Sequence, residues 1–193
     1  MALDRTTHPD VQAALFEDAF GVRHRLADPG GAVVDALVIH PALAAVPSFE
    51  FAVRERATRL APFRHTSYAR VRGVERGPAP DTPFRVLSDV GGGVRLSDLL
   101  AGAEARRVPI DINASLCLLR QLAPAVAMLH AHAREVAHGA IAPERLVVTP
   151  GARLLIAEYV FGSAIEQLRY SRERYWQDLR VPTAPGTGPV HID

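Results

Sequence analysis

The sequence predicts an α+β fold in two unequal lobes, a small β-rich lobe followed by a mostly helical one. Three observations predict it. Strand candidates separated by turn signals cluster before residue 90. A glycine run, Gly91-Gly92-Gly93, then marks a change of regime. The clearest long helix, over residues 112–133, comes only after that run.

The elements follow in order. Residues 7–19 have the pattern of a short amphipathic helix, with Thr7 as cap and Pro9 in its first turn. Asp28-Pro29-Gly30-Gly31 is a turn between strands over 22–26 and 32–39, which together read as a hairpin. Pro47-Ser48 opens a helix with Ser48 as N-cap, and Phe49, Ala52, Val53, Ala57 and Leu60 follow at helical spacing. Strands over 68–74 and 84–89 flank a Pro- and Gly-rich loop at 77–83. After the glycines, 96–100 begins a short helix. In the long helix, Leu116, Leu119, Val126 and Leu129 recur on one face, Asp111 is the cap and Pro124 interrupts the hydrogen bonding. Residues 145–148 and 153–157 form a second small hairpin around Thr149-Pro150-Gly151. Residues 165–179 are helical or mobile, and 181–190 are irregular.

Composition narrows the chemistry. The chain has 193 residues, 48% of them hydrophobic and 22% charged, which is globular and large enough for one core or two small lobes sharing one. A net charge of +1 argues against a nucleic-acid partner. All 22 basic residues are arginine, so Schiff-base chemistry and a phosphate-gripping lysine are excluded. Cys117 is the sole cysteine and, in an apolar helical stretch, is expected to be a buried core thiol. No signal-peptide pattern opens the chain, and its apolar runs read as too short to span a bilayer, so a cytoplasmic setting with no membrane contact of this segment is expected.

The stretch after the long helix, His138-Gly139-Ala140-Ile141-Ala142-Pro143-Glu144-Arg145 and the apolar run 146–148, resembles the protein kinase catalytic loop, His-Arg-Asp-Leu-Lys-Pro-Glu-Asn and its strand. Glu158-Tyr159-Val160 falls where a kinase has Asp-Phe-Gly, and Ala184-Pro185-Gly186 is similar to the Ala-Pro-Glu that closes an activation segment. Upstream, 87–92 resembles the hinge, with Ser88, Asp89 and Val90 as its hinge-like positions, and helix 48–60 the regulatory helix of the small lobe. The resemblance is to a bacterial serine/threonine-kinase-like domain and covers roughly residues 20–193. It implies a bilobal kinase-like fold: an N-terminal extension at 1–19, a small lobe at 20–90 and a partial large lobe at 91–193, truncated after the activation segment.

The same resemblance implies that phosphotransfer is lost. The catalytic base corresponds to Ala140, which has no side-chain acceptor. The loop lysine corresponds to Ala142, and the metal-binding asparagine to Arg145, whose charge would repel a cation. Glu158 keeps a carboxylate at the metal-binding place and is the one candidate metal ligand. Glu55 in the regulatory helix has no lysine partner, and the 28–31 turn lacks a G-x-G-x-x-G loop. His138 is expected to orient the catalytic loop. His130, His132 and His138 do not have the spacing of a metal site. Arg169, Arg172, Arg174 and Arg180, interleaved with acids and with Tyr170, Tyr175 and Trp176, read as a mixed-charge solvated or docking segment. Tyr159 or Phe161 is placed to plug the cleft.

The expected function is therefore a catalytically inactive, pseudokinase-type regulatory or protein-binding module, with no cofactor and with a protein partner or the rest of a larger polypeptide. The alternatives are a degenerate ATP-binding kinase that uses Glu158 for magnesium and an arginine for phosphate, and a fragment not stable on its own.

Overall fold

The computed structural model describes residues 15–27, 33–77, 82–132 and 138–182. Eight strands and five α-helices run through them in the order strand triplet, two helices, three strands, two helices, strand pair and helix. The N-terminal helix expected at 7–19 falls largely outside the described residues. Its last residues belong instead to strand β1 (Phe16–Asp18), so the sheet begins inside the stretch read as an extension.

Strands β2 (Gly21–Ala27) and β3 (Val33–Ile39) pair antiparallel as expected, and their 28–32 connection lies outside the described residues. With β4 (Arg70–Arg76) and β5 (Phe84–Asp89) they make a five-stranded sheet of order β1-β2-β3-β5-β4. In β2 the buried positions are Gly21, Arg23 and Leu26, while β3 is buried almost throughout, as an inner strand should be. The sheet is covered by α1 (Pro41–Ala44) and α2 (Pro47–Leu60), whose Phe49, Val53, Ala57 and Leu60 enter the core. The cap of α2 is Val46 rather than Ser48. Pro47 occupies the first turn, and the Ser48 hydroxyl donates to the Gln167 carbonyl at 3.5 Å.

The second lobe opens with β6 (Val94–Arg95), which joins β7 (Leu146–Val148) and β8 (Leu154–Ile156) in a three-stranded sheet. Helix α3 (Leu96–Ala105) follows β6 directly. Helix α4 (Ile112–His132) begins where Asp111 accepts the Asn113 backbone N–H at 3.2 Å, as a cap should. The segment expected to be helical or mobile is ordered as a 3-10 stretch, Gly162–Leu168, and α5 (Arg172–Leu179), which Ser171 caps through the Arg174 N–H. A parallel bridge between Tyr68 and Ile156 ties the small-lobe chain to β8, and the Tyr68 hydroxyl donates to the Ala125 carbonyl in α4 at 3.0 Å. One continuous apolar core runs through both lobes, from Phe20, Leu37 and Phe49 to Tyr159, Phe161 and Ile165.

Helix α4 overturns two expectations. Only Ala125 and Leu129 are buried in it, and Cys117 is exposed rather than a core thiol. By length and composition α4 is also apolar enough to cross a membrane, contrary to the reading that every apolar run is too short. A helix that is apolar nearly all round gives no phase signal for which stripe will be covered. Ile112, Leu116 and Leu119, at successive turns, face outward with 71%, 42% and 57% of their surface exposed. A thiol-specific reagent should therefore label Cys117 in the native protein at close to its rate in denaturant. A native rate slower by about a hundredfold would show that the thiol is covered.

Candidate functional site

The site that the resemblance singles out lies where the two sheets meet, and it is filled by side chains. Glu158 follows β8, is 3% exposed, and has a left-handed backbone with φ of 59°. A non-glycine residue in that region is uncommon and is held there by its surroundings. Those surroundings are arginines. Arg23, 0% exposed on β2, grips both carboxylate oxygens: Nε donates to Oε1 and Nη2 to Oε2, each at 2.6 Å. This is the bidentate fork that makes an arginine–carboxylate pair strong and directional. Arg95 of β6 stands 3.6 Å from Oε1, and Arg145 stands 3.7 Å from Oε2. Burial pushes the Glu158 carboxyl up, but the three guanidinium groups, Arg23 foremost, outweigh it and hold the pKa at about 2.

Two more carboxylates close the cluster. Asp18, at the end of β1, accepts from Arg23 Nη2 at 3.0 Å and from Arg145 Nη2 at 2.8 Å through the same oxygen, Oδ2. Asp35 on β3 accepts from Arg25 Nε at 3.3 Å and lies 3.8 Å from Arg95 Nη2. The inner cluster is thus three arginines, from β2, β6 and the catalytic-loop segment, against Asp18, Asp35 and Glu158. Its charges balance, which is the condition for keeping so many ions out of water.

The segment 138–145 is anchored by its histidine. His138 is fully buried. Its Nε2 contacts the Ala157 carbonyl at 3.0 Å, and its Nδ1 accepts the Ala140 N–H at 3.3 Å, so the Nε2-protonated tautomer satisfies both. The His138 carbonyl accepts the Gly162 N–H at 2.8 Å. The ring therefore ties the loop to the segment after β8. Ala140 is 3% exposed and presents only a methyl group. Ala142 precedes the 3-10 turn Pro143–Arg145 and is likewise without a polar group. Arg145 spends Nη1 on the Ala140 carbonyl at 3.1 Å and packs 4.3 Å over the Phe20 ring.

Apolar groups fill the rest of the junction. Phe161 stacks on Phe49 of α2 at 6.4 Å between centroids and touches Phe20 at 4.7 Å, while Tyr159 packs on Phe63 and Tyr68. Both candidate plugs are thus buried, at 0% and 1% exposure. The inward polar residue of α2 is Arg56, which donates to the Val160 carbonyl at 2.9 Å. Glu55 points outward and pairs with Arg59.

Of the hinge-like residues, Ser88 is buried in β5, Asp89 pairs with Arg72 at 2.5 Å, and Val90 borders an open pocket of about 260 Å³. It is lined by Leu15, Phe16, Gly93, Val94 and Val147 and by four charged residues, Arg25, Asp35, Arg95 and Asp98. Among the described residues no group of three or more His, Cys, Asp or Glu side chains converges on a metal-sized site, and His130, His132 and His138 form none. In the α5 region Arg174 pairs with Asp178 at 2.8 Å and lies over Tyr170, the mixed-charge arrangement expected. The Ala184-Pro185-Gly186 match lies outside the described residues.

Arg23, Arg95, Asp18 and Asp35 were not singled out from sequence. A single charge set into an otherwise apolar strand, Asp35 in 33–39, is a signal that marks one of them; Arg23, in a strand that also carries His24 and Arg25, has no such mark.

No family model and no curated protein matches the sequence. Solved structures do match. The Mycobacterium tuberculosis PknI kinase domain superposes with a TM-score of 0.62 at 23% identity, over 79% of this chain and 58% of that one. The maize SIRK1 (sucrose-induced receptor kinase 1) kinase domain bound to AMP-PNP superposes with a TM-score of 0.63 at 18% identity, over 86% and 60%. The chain thus spans about three fifths of the length of these domains, and what it shares with them is the fold.

Proposed function

We propose that this chain, an α+β protein-kinase-like fold, is catalytically inactive and acts as a regulatory or protein-binding module. One observation carries the reading. The only carboxylate at a metal-binding place, Glu158, has both oxygens held by Arg23, and two more arginines stand within 4 Å of it. A magnesium ion there would have to displace a buried bidentate pair and sit among three positive charges. The lost base at Ala140 and the side chains packed into the junction support the same conclusion. The outward face of α4, with Ile112, Leu116 and Leu119 exposed, supplies apolar surface of the kind that protein partners cover.

The pocket beside Val90 favours a second reading, a degenerate ATP-binding kinase, because it combines apolar residues such as Phe16, Val90 and Val147 with the charged Arg25, Asp35, Arg95 and Asp98. A thermal-shift titration with ATP, with and without magnesium, separates the two. The expected result is a cooperative melt that ATP does not move. A saturable shift that needs magnesium would establish nucleotide binding and overturn the inactive-module reading.

A further inference from the structure

The cluster at the lobe junction contains a second arrangement, centred on Asp18 rather than Glu158. Four donors converge on the Asp18 carboxylate. Oδ1 accepts the backbone N–H groups of Phe20 at 2.9 Å and Gly21 at 3.3 Å. Oδ2 accepts Arg23 Nη2 at 3.0 Å and Arg145 Nη2 at 2.8 Å. Two backbone N–H groups in a tight turn and two guanidinium groups facing one another across a single anion are the donor set of an oxyanion site. Here the anion is the chain's own.

The donors exceed what Asp18 uses. Arg23 Nη1 is buried and has no hydrogen-bond acceptor among the described residues, and Arg145 Nε, also buried without one, has only Glu158 Oε2 near it, at 3.7 Å. An unpartnered buried guanidinium N–H is costly, and a larger oxyanion with more acceptor positions would relieve that cost where a carboxylate does not. Access exists as well. Asp18 and Ala19 line an open cavity of about 330 Å³ bounded by His40, Tyr170 and Arg174, and the Asp18 side chain keeps 9% of its surface exposed.

We propose that Asp18 is a tethered anion occupying an oxyanion cradle, that it latches the small lobe to the catalytic-loop segment through Arg145, and that a tetrahedral oxyanion of orthophosphate size binds in its place when the carboxylate is removed. The latch is the functional content. Asp18 comes from β1 and Arg145 from the turn before β7, so Asp18 Oδ2 is one of the links between the two parts of the chain, beside the Arg23–Glu158 pair. The inference rests on the cleft being closed by this cluster, but not on the absence of phosphotransfer.

The test is Asp18→Ala, titrated with sodium orthophosphate against sodium chloride at matched ionic strength, by thermal shift and by calorimetry. The expected result is a saturable orthophosphate-dependent stabilisation in the variant, with apparent affinity at least about tenfold tighter than in the wild type. Adding Arg145→Gln should abolish it. A folded variant that responds equally to both salts overturns the proposal. If Asp18→Ala does not fold in chloride, folding restored by orthophosphate supports the cradle, and failure in both salts overturns it. ATP with magnesium shifting the wild type would sink the inactive-module reading and leave this result untouched, so the two fail separately.

Discussion

Glu158→Gln should cost the protein about 3–5 kcal/mol, the range for removing one partner of a buried ion pair. The substitution keeps the shape and one acceptor but leaves Arg23, fully buried, without its bidentate anion, and leaves Arg95 and Arg145 facing a neutral amide. Asp18 and Asp35 remain against three guanidinium groups, so the cluster carries an uncompensated charge. The pH dependence has a definite sign. The folded-state pKa of about 2 lies below the ordinary 4.5, so the unfolded chain binds the proton more readily. The stabilisation is complete above pH 4.5 and is lost as the pH falls from there towards 2. Urea unfolding of the two proteins from pH 7 down to pH 3 measures both effects. The difference between them should be largest at neutral pH and shrink on the acid side. A difference under about 1 kcal/mol at pH 7 would mean that the cluster is not held together by Glu158. Replacing Arg23 by methionine in the glutamine variant should recover part of the loss, because an apolar side chain leaves no buried charge behind.

How much of this was legible beforehand follows from what each signal encodes. The strand hairpin of β2 and β3 and the small hairpin of β7 and β8 were legible because turn chemistry is local. The role expected for His138, holding its loop in place, matches its burial and its contacts with Ala140 and Ala157. That Glu158 would be buried among arginines was not legible. Arg23 is 135 residues away, and nothing local pairs them. Helix phase was legible in α2, where Phe49, Val53, Ala57 and Leu60 face the core and Glu55 faces outward to Arg59, although the inward Arg56 was not singled out. In α4 the apolar content exceeds what the described residues cover, so Cys117 was assigned to a core that does not reach it.

Gly21→Ala should be as damaging as any single methyl group added to the chain, with an expected loss of about 3–5 kcal/mol from backbone strain and displacement combined. Gly21 has φ of 153°, outside the range L residues favour, and a Cβ there would lie 1.9 Å from the Val38 carbonyl oxygen and 3.0 Å from the Ile39 Cα. Neither atom belongs to a side chain that can rotate away. Both are backbone of β3, the strand that pairs with β2 in this register. The ladder would have to open at its first rung, and the Gly21 N–H that donates to Asp18 would move with it. The damage therefore passes from the sheet to the ion cluster, through the Asp18 contacts with Arg23 and Arg145. Gly91→Ala is the matched control. Its φ is 70° but no atom lies within 4 Å of the added Cβ, so it should cost only the left-handed strain, about 1–2 kcal/mol. Urea unfolding of the three proteins decides the matter. If Gly21→Ala loses no more than Gly91→Ala, the β2–β3 register at Gly21 is not the one described, and the turn that positions Asp18 must be built differently.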